Sequence, residues 1–293
     1  MRLRTFFVLV LVLVLPLLAV SAYADTPGIN TAGPFAVLGE AGVTNTGPSV
    51  INGSVAGSAG TPAVTGFPPG IVVAPGVLYT AGVPNSGPGT PFGDATTAYN
   101  NAQGLSGASP ISTDLGGLTL TPGVYSLGAA QLTGTLLLDA LGSNSAQWTF
   151  QIASSLTTAS ASTVQVINAG APGAFTGGIT WAVTSSATLG TTTTFLGTII
   201  SLAGDAIQTS ATIGCGRVIS LDASVTLDTN NISTGCTVTA GTGGTGGTGG
   251  TITPPTPIHA PEPGTLALLS SGLLAMVFLT FRKSRVSSLS LSC

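Results

Sequence analysis

The sequence predicts a mainly β protein whose short strands wind into a solenoid. Charged residues are only 5% of its 293 residues, whereas hydrophobic residues reach 43% and Gly (42) and Pro (19) recur throughout. Short apolar runs separated by turn residues are typical of β structure rather than of disorder. A four-residue unit rich in Thr, Ser and Ala also recurs before a large apolar residue at intervals near 20 residues, which indicates a β-solenoid.

The repeated unit sets the period of the predicted solenoid. Its best copies are 46–49, 160–163, 191–194 and 209–212, and its weaker copies are 128–131 and 228–231. The apolar residues that follow at 195, 213 and 232 are 18 and 19 residues apart, and those at 132, 164 and 195 are 32 and 31 apart. The longer intervals contain Gly- and Pro-rich insertions. We therefore expect each turn to add one strand to the same flat face, with the copies side by side on it.

Most of the chain is expected to form short strands, with one helix. The clearest expected strands are 135–139, 147–152, 163–167, 179–183, 195–202, 217–221 and 224–227. The stretch 94–104 instead predicts a short α-helix, with Asp94 as the N-cap and Gly104 at its C-terminal end. This helix would close one side of the solenoid with four inward residues, which are Ala95, Ala98, Tyr99 and Ala102.

The N-terminal segment predicts export. Arg2 and Arg4 precede an apolar run over 6–20, and Ala22-Tyr23-Ala24 fits a small-x-small cleavage site. Residues 1–24 therefore predict a secretory signal peptide. An uncleaved membrane anchor is the alternative.

The C-terminal part predicts a linker and a membrane segment. After a domain over 25–239, residues 240–260 are a Gly/Thr/Pro-rich linker. Residues 264–281 are mostly apolar and just long enough for a transmembrane helix, and the basic residues Arg282, Lys283 and Arg285 mark its cytoplasmic side. A short tail, 286–293, follows.

The cysteines suggest one disulfide. Cys215 and Cys236 are about one solenoid turn apart, and adjacent turns stack at about 4.8 Å. Export permits oxidation, so we expect these two residues to be joined. Two separate buried thiols are the alternative. Cys293 lies beyond the predicted membrane segment.

Six blocks in the predicted domain resemble the microbial ice-binding protein family of the DUF3494 type. They are 33–39, 44–53, 63–70, 96–100, 114–125 and 185–191, and they occur in the order typical of that family. The resemblance implies a discontinuous right-handed β-solenoid of triangular cross-section with an α-helix packed alongside. The departure at 82–93, where Gly and Pro replace the start of a longer helix, implies that the helix is short here.

The tail over 261–285 resembles the PEP-CTERM sorting signal. This signal comprises a Pro-Glu-Pro, a membrane helix and a basic end, here carried by Pro261, Glu262, Pro263, Arg282, Lys283 and Arg285. The resemblance implies transient membrane anchoring and processing by an exosortase-like enzyme, after which the protein is extracellular or on the cell surface. A plain anchor is the alternative.

The family resemblance implies ice binding through a flat face on which a Thr-Ala/Gly-X-Thr/Asn pattern recurs. Ice carries no charge, so a protein must match a periodic array of water molecules. Threonine suits this because its β-branch restricts χ1 and its methyl and hydroxyl groups can together order water. The expected ice-binding residues are Thr46, Ser49, Ser160, Ser162, Thr163, Thr191, Thr193, Thr194, Thr209, Ala211, Thr212, Thr229 and Asn231. The simpler alternative is that these threonines only favour strands.

Other functional classes are less well supported by the sequence. Between residues 25 and 260 there are eight acids and one base, Arg217, which gives 1 − 8 = −7 and argues against nucleic acid as a partner. No catalytic residues, metal ligands or cofactor are expected. Asp205, Asp222 and Asp228 could cluster near Arg217, but an ion pair explains such a cluster better than an active site. A non-enzymatic matrix or adhesin-type protein binding exopolysaccharide remains open, and it would be favoured if Trp148 or Trp181 were exposed.

Overall fold

The computed structural model describes residues 28–58, 60, 64–170 and 175–236, which form a β-solenoid with one α-helix. The expected signal peptide, linker, sorting signal and Cys293 lie outside these residues, as does the expected membrane helix 264–281. Within the described ranges no helix is long and apolar enough to span a membrane. Each coil of the solenoid contributes strands in turn to three faces, and the strands within each face are parallel. We number the faces in the order in which the chain reaches them.

Face 1 is the face against which the helix packs. Its strands are β1 (Phe35–Gly39), β4 (Ser54–Ser58), β7 (Leu78–Val83), β8 (Ser109–Pro110), β10 (Gly123–Leu127), β13 (Gln147–Ile152), β16 (Gly178–Val183) and the C-terminal parts of β18 (Thr194–Ser201) and β20 (Thr212–Ser220). Because β18 and β20 bend at a corner, their N-terminal parts belong to face 3. The expected strand 195–202 therefore corresponds to β18 shifted by one residue, and the expected strand 217–221 corresponds to the C-terminal part of the longer, bent β20.

Face 2 is a separate sheet of seven short strands. They are β2 (Val43–Thr46), β5 (Val64–Thr65), β11 (Ala130–Leu132), β14 (Leu156–Thr158), β17 (Ala187–Leu189), β19 (Asp205–Ile207) and β21 (Val225–Asp228). Besides the bent strands, face 3 contains β3 (Val50–Asn52), β6 (Ile71–Val73), β9 (Thr119–Leu120), β12 (Thr135–Asp139), β15 (Thr163–Ile167) and β22 (Asn231–Ser233).

The coils do not stack in chain order. The first coil packs on the last, since β1 pairs with β20, β2 with β21 and β3 with β22. The coil that contains β4, β5 and β6 then lies outside it. All these pairings are parallel, as a solenoid requires, and the break in chain order makes the solenoid discontinuous.

The interior is filled by side chains from all three faces. Trp148 and Trp181 are 1% and 0% exposed, and their indole N–H groups donate to the carbonyls of Leu120 and Leu196. The rings of Trp181 and Phe150 stack with centroids 3.9 Å apart. Burying one large apolar side chain contributes about 1.5–3 kcal/mol, so this aromatic stack stabilises the middle coils. Both tryptophans are therefore core residues, and neither offers an exposed platform for a sugar.

Glycines allow β18 and β20 to bend from face 3 to face 1. A Cβ added at Gly216 would lie 1.8 Å from the carbonyl oxygen of Gly197, and Gly197 itself has φ +102°. Residues with side chains cannot approach so closely or adopt this φ without strain. These two positions therefore fix the corner between faces 3 and 1.

The helix α1 (Pro91–Gln103) packs along face 1 against β13, β16 and β18. It begins earlier than expected, because the hydroxyl of Thr90 caps it by accepting a hydrogen bond from the Gly93 N–H at 3.1 Å. Asp94 is not the cap. Its carboxylate accepts hydrogen bonds from the Thr31 hydroxyl and N–H, which lower the pKa of Asp94 and join α1 to the N-terminal segment. The four expected inward residues, Ala95, Ala98, Tyr99 and Ala102, are all buried.

Candidate functional site

The repeated Thr/Ser/Ala unit forms the corner between faces 2 and 3. Its copies at 160–163, 191–194 and 209–212 connect β14 to β15, β17 to β18 and β19 to β20. The copies at 228–231 and 46–49 occupy the same corner in the next two coils, whereas 128–131 lies between faces 1 and 2. The copies do stack side by side, but the expectation that they lie within one flat sheet is wrong.

The second residue of each unit makes the turn. Ala161, Thr192, Ser210 and Thr229 have φ values of 59°, 58°, 61° and 55°, and Gly47 occupies the same position with φ 81°. Only glycine reaches this left-handed region without strain. Backbone hydrogen bonds between neighbouring coils hold the turns, including Ala161 N–H to Thr191 O at 2.9 Å and Thr192 N–H to Thr209 O at 3.0 Å. The periodicity of the motif therefore has a structural cause.

The residue after the turn points into the protein, and in the copy 46–49 this residue is Ser49, because Pro48 is inserted after the turn. Ser162, Thr193, Ala211 and Ser49 are all 0% exposed. The Thr193 hydroxyl lies 2.8 Å from the Thr158 hydroxyl and donates to the Ala159 carbonyl at 3.2 Å. These four residues are therefore corrected from expected ice contacts to buried residues of the corner.

The remaining expected contacts lie on the corner and on the first column of face 3. Thr46, Ser160 and Thr209 are exposed on the corner, where Thr191 and Thr229 are half-buried. The four half-buried residues that begin the face 3 strands pair in the order Thr163, Thr194, Thr212, Asn231.

Two of the apolar residues used to align the repeats were placed out of register. Ile232 pairs with Ile51 and not with Val50, because Pro48 adds one residue to that corner. Val164 pairs with Leu136 and not with Leu132, which lies on face 2 beside Thr158. The spacing of these residues in the sequence therefore did not give the true register.

Face 2 carries a threonine ladder that the repeated unit did not predict. In six of the seven strands one residue points outward between two buried neighbours, and in the two-residue strand β5 the outward residue is Thr65. These outward residues are paired across the whole sheet. In spatial order they are Gln131, Thr157, Thr188, Ala206, Thr226, Thr44 and Thr65. All seven are exposed or half-buried. We call them the face 2 ladder.

Small residues flank the ladder on one side. Side chains alternate along a strand, so the residues two positions before the ladder also face outward. Five of them are half-buried, namely Ala129, Ser155, Ser186, Gly204 and Ser224, whereas Gly42 at the corresponding position of the first coil is buried. Backbone hydrogen bonds between neighbouring coils align these positions. The donors are the N–H groups of Ala130, Leu156, Asp205 and Val225, and the acceptors are the carbonyls of Ser155, Ser186, Ser224 and Gly42, respectively. The outer surface of face 2 is consequently flat on this side.

The other side of the ladder meets the motif corner and is less even. In the seven described strands of face 2, the outward charged residue is Asp228, whose carboxylate accepts hydrogen bonds from the hydroxyls of Thr209 (2.5 Å) and Thr229 (3.0 Å). A shallow depression of about 290 Å³ lies beside it, where Ala206 replaces a threonine of the ladder. The ladder itself carries no ionised group.

Asp205 lies beneath face 2, inside the solenoid. Its carboxylate accepts from the Ala187 N–H and the Ser201 hydroxyl, both at 2.8 Å. Burial raises the pKa of Asp205 to about 7, and these two hydrogen bonds oppose the shift only in part. Arg217 is buried on face 1, where it donates to Gly33 O, Phe35 O and Thr198 Oγ1. The hydrogen bonds of the two groups therefore connect them to different parts of the solenoid.

No site for a metal ion is built from the described residues. In them, no group of three or more His, Cys, Asp or Glu side chains could hold one. Asp222, the third acid that could have joined Arg217, is exposed.

The cysteine pair is close but not bonded. Cys215 and Cys236 are free thiols in the structure, so the expected disulfide is not found. A hydrogen bond with Cys236, together with burial, raises the pKa of Cys215 well above its usual range. The spacing of one turn did bring the two residues together, at the corner where β20 bends.

Comparison with known proteins agrees with this architecture. The family model for ice-binding-like proteins matches residues 37–233. The chain belongs to the ice-binding-like family. An ice-binding protein of Nostoc sp. (strain HG1) is 43% identical over 258 residues, which cover 87% of this chain and 86% of that protein. An ice-binding protein of Flavobacterium frigoris (strain PS1) is 32% identical over 226 residues, covering 71% of this chain and 76% of that protein.

Solved structures of this family share the fold. The ice-binding protein of the Antarctic ascomycete Antarctomyces psychrotrophicus superposes with a TM-score of 0.60 at 35% identity, covering 73% of this chain and 98% of that one. An ice-binding protein from an Antarctic biological consortium gives a TM-score of 0.59 at 39% identity, covering 70% and 89%. A second family model, for the PEP-CTERM protein-sorting motif, matches residues 259–283 of this ice-binding-like chain.

Proposed function

We propose that this protein adsorbs to ice through face 2 and thereby inhibits ice growth and recrystallisation. The observation that carries the proposal is the face 2 ladder, in which five threonines lie in register across a seven-stranded sheet. Neighbouring strands are about 4.8 Å apart, so the ladder is a regular row of hydroxyl and methyl groups. The relatives named above, which are ice-binding proteins, support ice as the ligand.

The ladder is suited to ice because it is already ordered. Thr157 and Thr188 are β-branched and sit on paired strands, so their side chains have few rotamers to lose on binding. Each hydroxyl can hold a water molecule by hydrogen bonds, and each methyl leaves its neighbouring water molecules bonded to one another. Preorganisation lowers the entropic cost of binding, which matters for a ligand that offers no charge. The flat row of small residues beside the ladder keeps other side chains out of the contact.

Face 3 is less suited to this role. Its first outward column, which includes Thr163, Thr194 and Thr212, is regular. The residues two positions further along are Gln165 and Gly214, which are half-buried, and Leu196, which is buried, so they do not continue as a regular outward column. The pairing of β18 with β20 also shifts register after Leu196. We therefore assign the ice contact to face 2, with the exposed corner residues Thr46, Ser160 and Thr209 at its margin.

Binding to exopolysaccharide is the weaker alternative. Sugar sites commonly use an exposed aromatic ring, and both tryptophans are buried in the core. Among the described residues, the exposed aromatic side chain is Tyr79, which is 38% exposed and lies on the edge strand β7 of face 1, not on face 2. Catalysis also receives no support from the relatives, whose names are those of ice-binding proteins.

We further propose that the protein is exported and processed at its C-terminal sorting motif. The match to the PEP-CTERM motif over 259–283 supports an exosortase-like membrane enzyme as a partner, and an N-terminal signal peptide would supply export. Replacing both Pro261 and Glu262 by Ala should prevent maturation, detected as an uncleaved chain by immunoblotting of membrane fractions. A plain membrane anchor would be unaffected by this double substitution.

The ice-binding proposal is tested by recrystallisation inhibition. Purified protein should keep ice grains small in a frozen sucrose solution during annealing, and the effect should disappear after heat denaturation. A folded protein, verified by circular dichroism, that leaves grain growth unchanged at every concentration would contradict the proposal.

A further inference from the structure

Asp205 replaces a backbone hydrogen-bond acceptor at the centre of face 2. At four other steps between neighbouring strands of this face, the N–H of the first inward residue donates to the carbonyl of the residue that precedes the next strand. Between β17 and β19 the corresponding donor is the Ala187 N–H, and it donates instead to Asp205 Oδ1 at 2.8 Å. The acid side chain therefore takes the place of the Gly204 carbonyl in the step that joins Thr188 to Ala206.

This step lies in the middle of the face 2 ladder. The strand β19 is the fourth of the seven strands, and its pairing with β17 begins at Ala206, whereas its pairing with β21 begins one residue earlier, at Asp205. The N-terminal ends of β17 and β19 are thus held together by an ionisable side chain, where neighbouring strands are held by backbone groups. The positions of Ala187 and of the adjacent Thr188 consequently depend on Asp205.

The surroundings of the second carboxyl oxygen favour a protonated Asp205. Its Oδ2 lies 2.8 Å from Ser201 Oγ, which is also 2.6 Å from the Ala203 carbonyl oxygen. A serine hydroxyl has one hydrogen to donate, so an ionised Asp205 would leave one of these two oxygen–oxygen contacts without a hydrogen. A protonated Asp205 satisfies both contacts, since its O–H can donate to Ser201 Oγ while the Ser201 hydroxyl donates to Ala203. Both side chains are buried, at 2% and 0% exposed.

The charged side chains on the elements around Asp205 have other partners or face solvent. On β20, Arg217 donates to oxygen atoms of face 1 and of the segment before β1. On β21, Asp228 bonds to hydroxyls at the motif corner, and Asp222 in the turn between these strands is exposed. Glu40, which follows β1, accepts from a side-chain amide, and the described strands β17 and β18 carry no charged residue. Burial therefore dominates and raises the pKa of Asp205 to about 7.

We infer that Asp205 is a positioning residue of the ice-binding face, a neutral carboxylic acid whose two hydrogen bonds hold the two halves of the face 2 ladder in register. This inference rests on the proposed function. When the proton is lost to solvent, the contacts of Ser201 have one hydrogen too few, and the buried charge is stabilised only if β19 moves toward water. Thr188 and Ala206 then shift relative to each other, so the ladder is no longer a continuous row. Ice adsorption is therefore strongest in acidic solution and weakens as the pH rises through 7.

The pH profile of ice activity tests this inference. Purified wild type, Asp205→Asn and Asp222→Asn are assayed for recrystallisation inhibition at pH 5 and pH 9, with the native fold verified by circular dichroism at both values. With a pKa of about 7, only about 1% of the wild type keeps the proton at pH 9, so we expect its activity there to be at least about tenfold lower than at pH 5. Asp222→Asn, which changes an exposed acid, should follow the wild type.

Asp205→Asn should keep full activity at both pH values. Its amide can accept from the Ala187 N–H and donate to Ser201 Oγ, as the protonated acid does, but it cannot ionise. A residue that served only the stability of the fold would not change the pH profile of protein that is folded at both values.

Infrared spectroscopy measures the proton itself. At pH 5 the wild type should show the carbonyl band of a protonated carboxyl group that Asp205→Asn lacks. Absence of that band, equal activity of the folded wild type at pH 5 and pH 9, or loss of activity in Asp205→Asn would each overturn the inference while ice binding stands. If the folded wild type leaves ice grains unaffected at both pH values, the proposed function itself fails, and the positioning role fails with it.

Discussion

Replacing Thr188 by Tyr should weaken ice adsorption at least tenfold while leaving the fold intact. Thr188 lies in β17, the third of the seven strands of face 2, where it pairs with Thr157 on one side and Ala206 on the other. The seven strands span about 29 Å at 4.8 Å per strand, and the ladder together with the next position on either side of it spans about 13 Å along the chain, which gives a contact area of about 400 Å². A tyrosine ring near its centre would stand above the plane and lift a rigid surface from ice on at least one side.

The loss of activity can be bounded from this geometry. If the adsorption free energy is spread evenly over the area, lifting half of the surface removes half of that energy. Every 1.4 kcal/mol lost is a factor of ten in affinity, so for any total adsorption free energy above about 2.8 kcal/mol the variant needs at least a tenfold higher concentration for equal recrystallisation inhibition. A substitution at this partly exposed site should change the unfolding free energy by no more than about 0.5 kcal/mol, which moves Tm by about 1–2 °C.

Thr194→Tyr is the matched control. Thr194 begins β18 on face 3, is half-buried like Thr188, and pairs with the threonines of the neighbouring coils. It should retain activity because its ring would project from a different face. Equal loss in both variants, or loss only in Thr194→Tyr, would refute the assignment of the ice contact to face 2.

Three further predictions concern buried groups. Thr193→Val should lower the unfolding free energy by about 1–3 kcal/mol in urea titration, because the hydroxyl that bonds Thr158 and Ala159 is lost, and the protein that remains folded should keep its ice activity. The pKa of Asp205 is about 7 in the folded protein, against an ordinary 3.8. The contribution of its protonated form to the unfolding free energy is therefore complete below about pH 4 and is lost as the pH rises through 7. The unfolding free energy should fall by about 4 kcal/mol at most between pH 4 and pH 8, and Asp205→Asn, which resembles the protonated acid, should remove that dependence. The raised pKa of Cys215 should make its alkylation by iodoacetamide at pH 8 at least tenfold slower in folded than in urea-unfolded protein, as followed by mass spectrometry; equal rates would contradict its burial.

The coil period and the helix could be predicted from local patterns. The spacing of the motif copies identified the stacked corner, because each copy needs a left-handed turn followed by a buried small residue. The alanines at 95, 98 and 102 repeat at helical spacing, so they identified the buried face of α1. The start of the helix was misplaced because Asp94 resembles an N-cap, whereas the Thr90 hydroxyl caps α1 three residues before Gly93.

The ladder on face 2 could not be found by spacing. The chain breaks its stacking order, so Thr226 pairs with Thr44, a residue 182 positions earlier. Its strands contain two to four residues, too few for a clear alternation. One local pattern could have indicated it, since Thr157 and Thr188 each lie three residues before the first residue of a motif copy and follow an apolar residue. The sequence also could not show that Thr193 is buried while Thr194 is not.

Partition into growing ice shows directly whether face 2 adsorbs to ice. Fluorescently labelled wild-type protein and labelled Thr188→Tyr are placed together, in two colours, in a solution that is frozen slowly from a cold finger. We expect the wild type to be enriched in the ice and the variant to stay in the liquid. If both folded proteins stay in the liquid, or both enter the ice equally, adsorption through face 2 is contradicted.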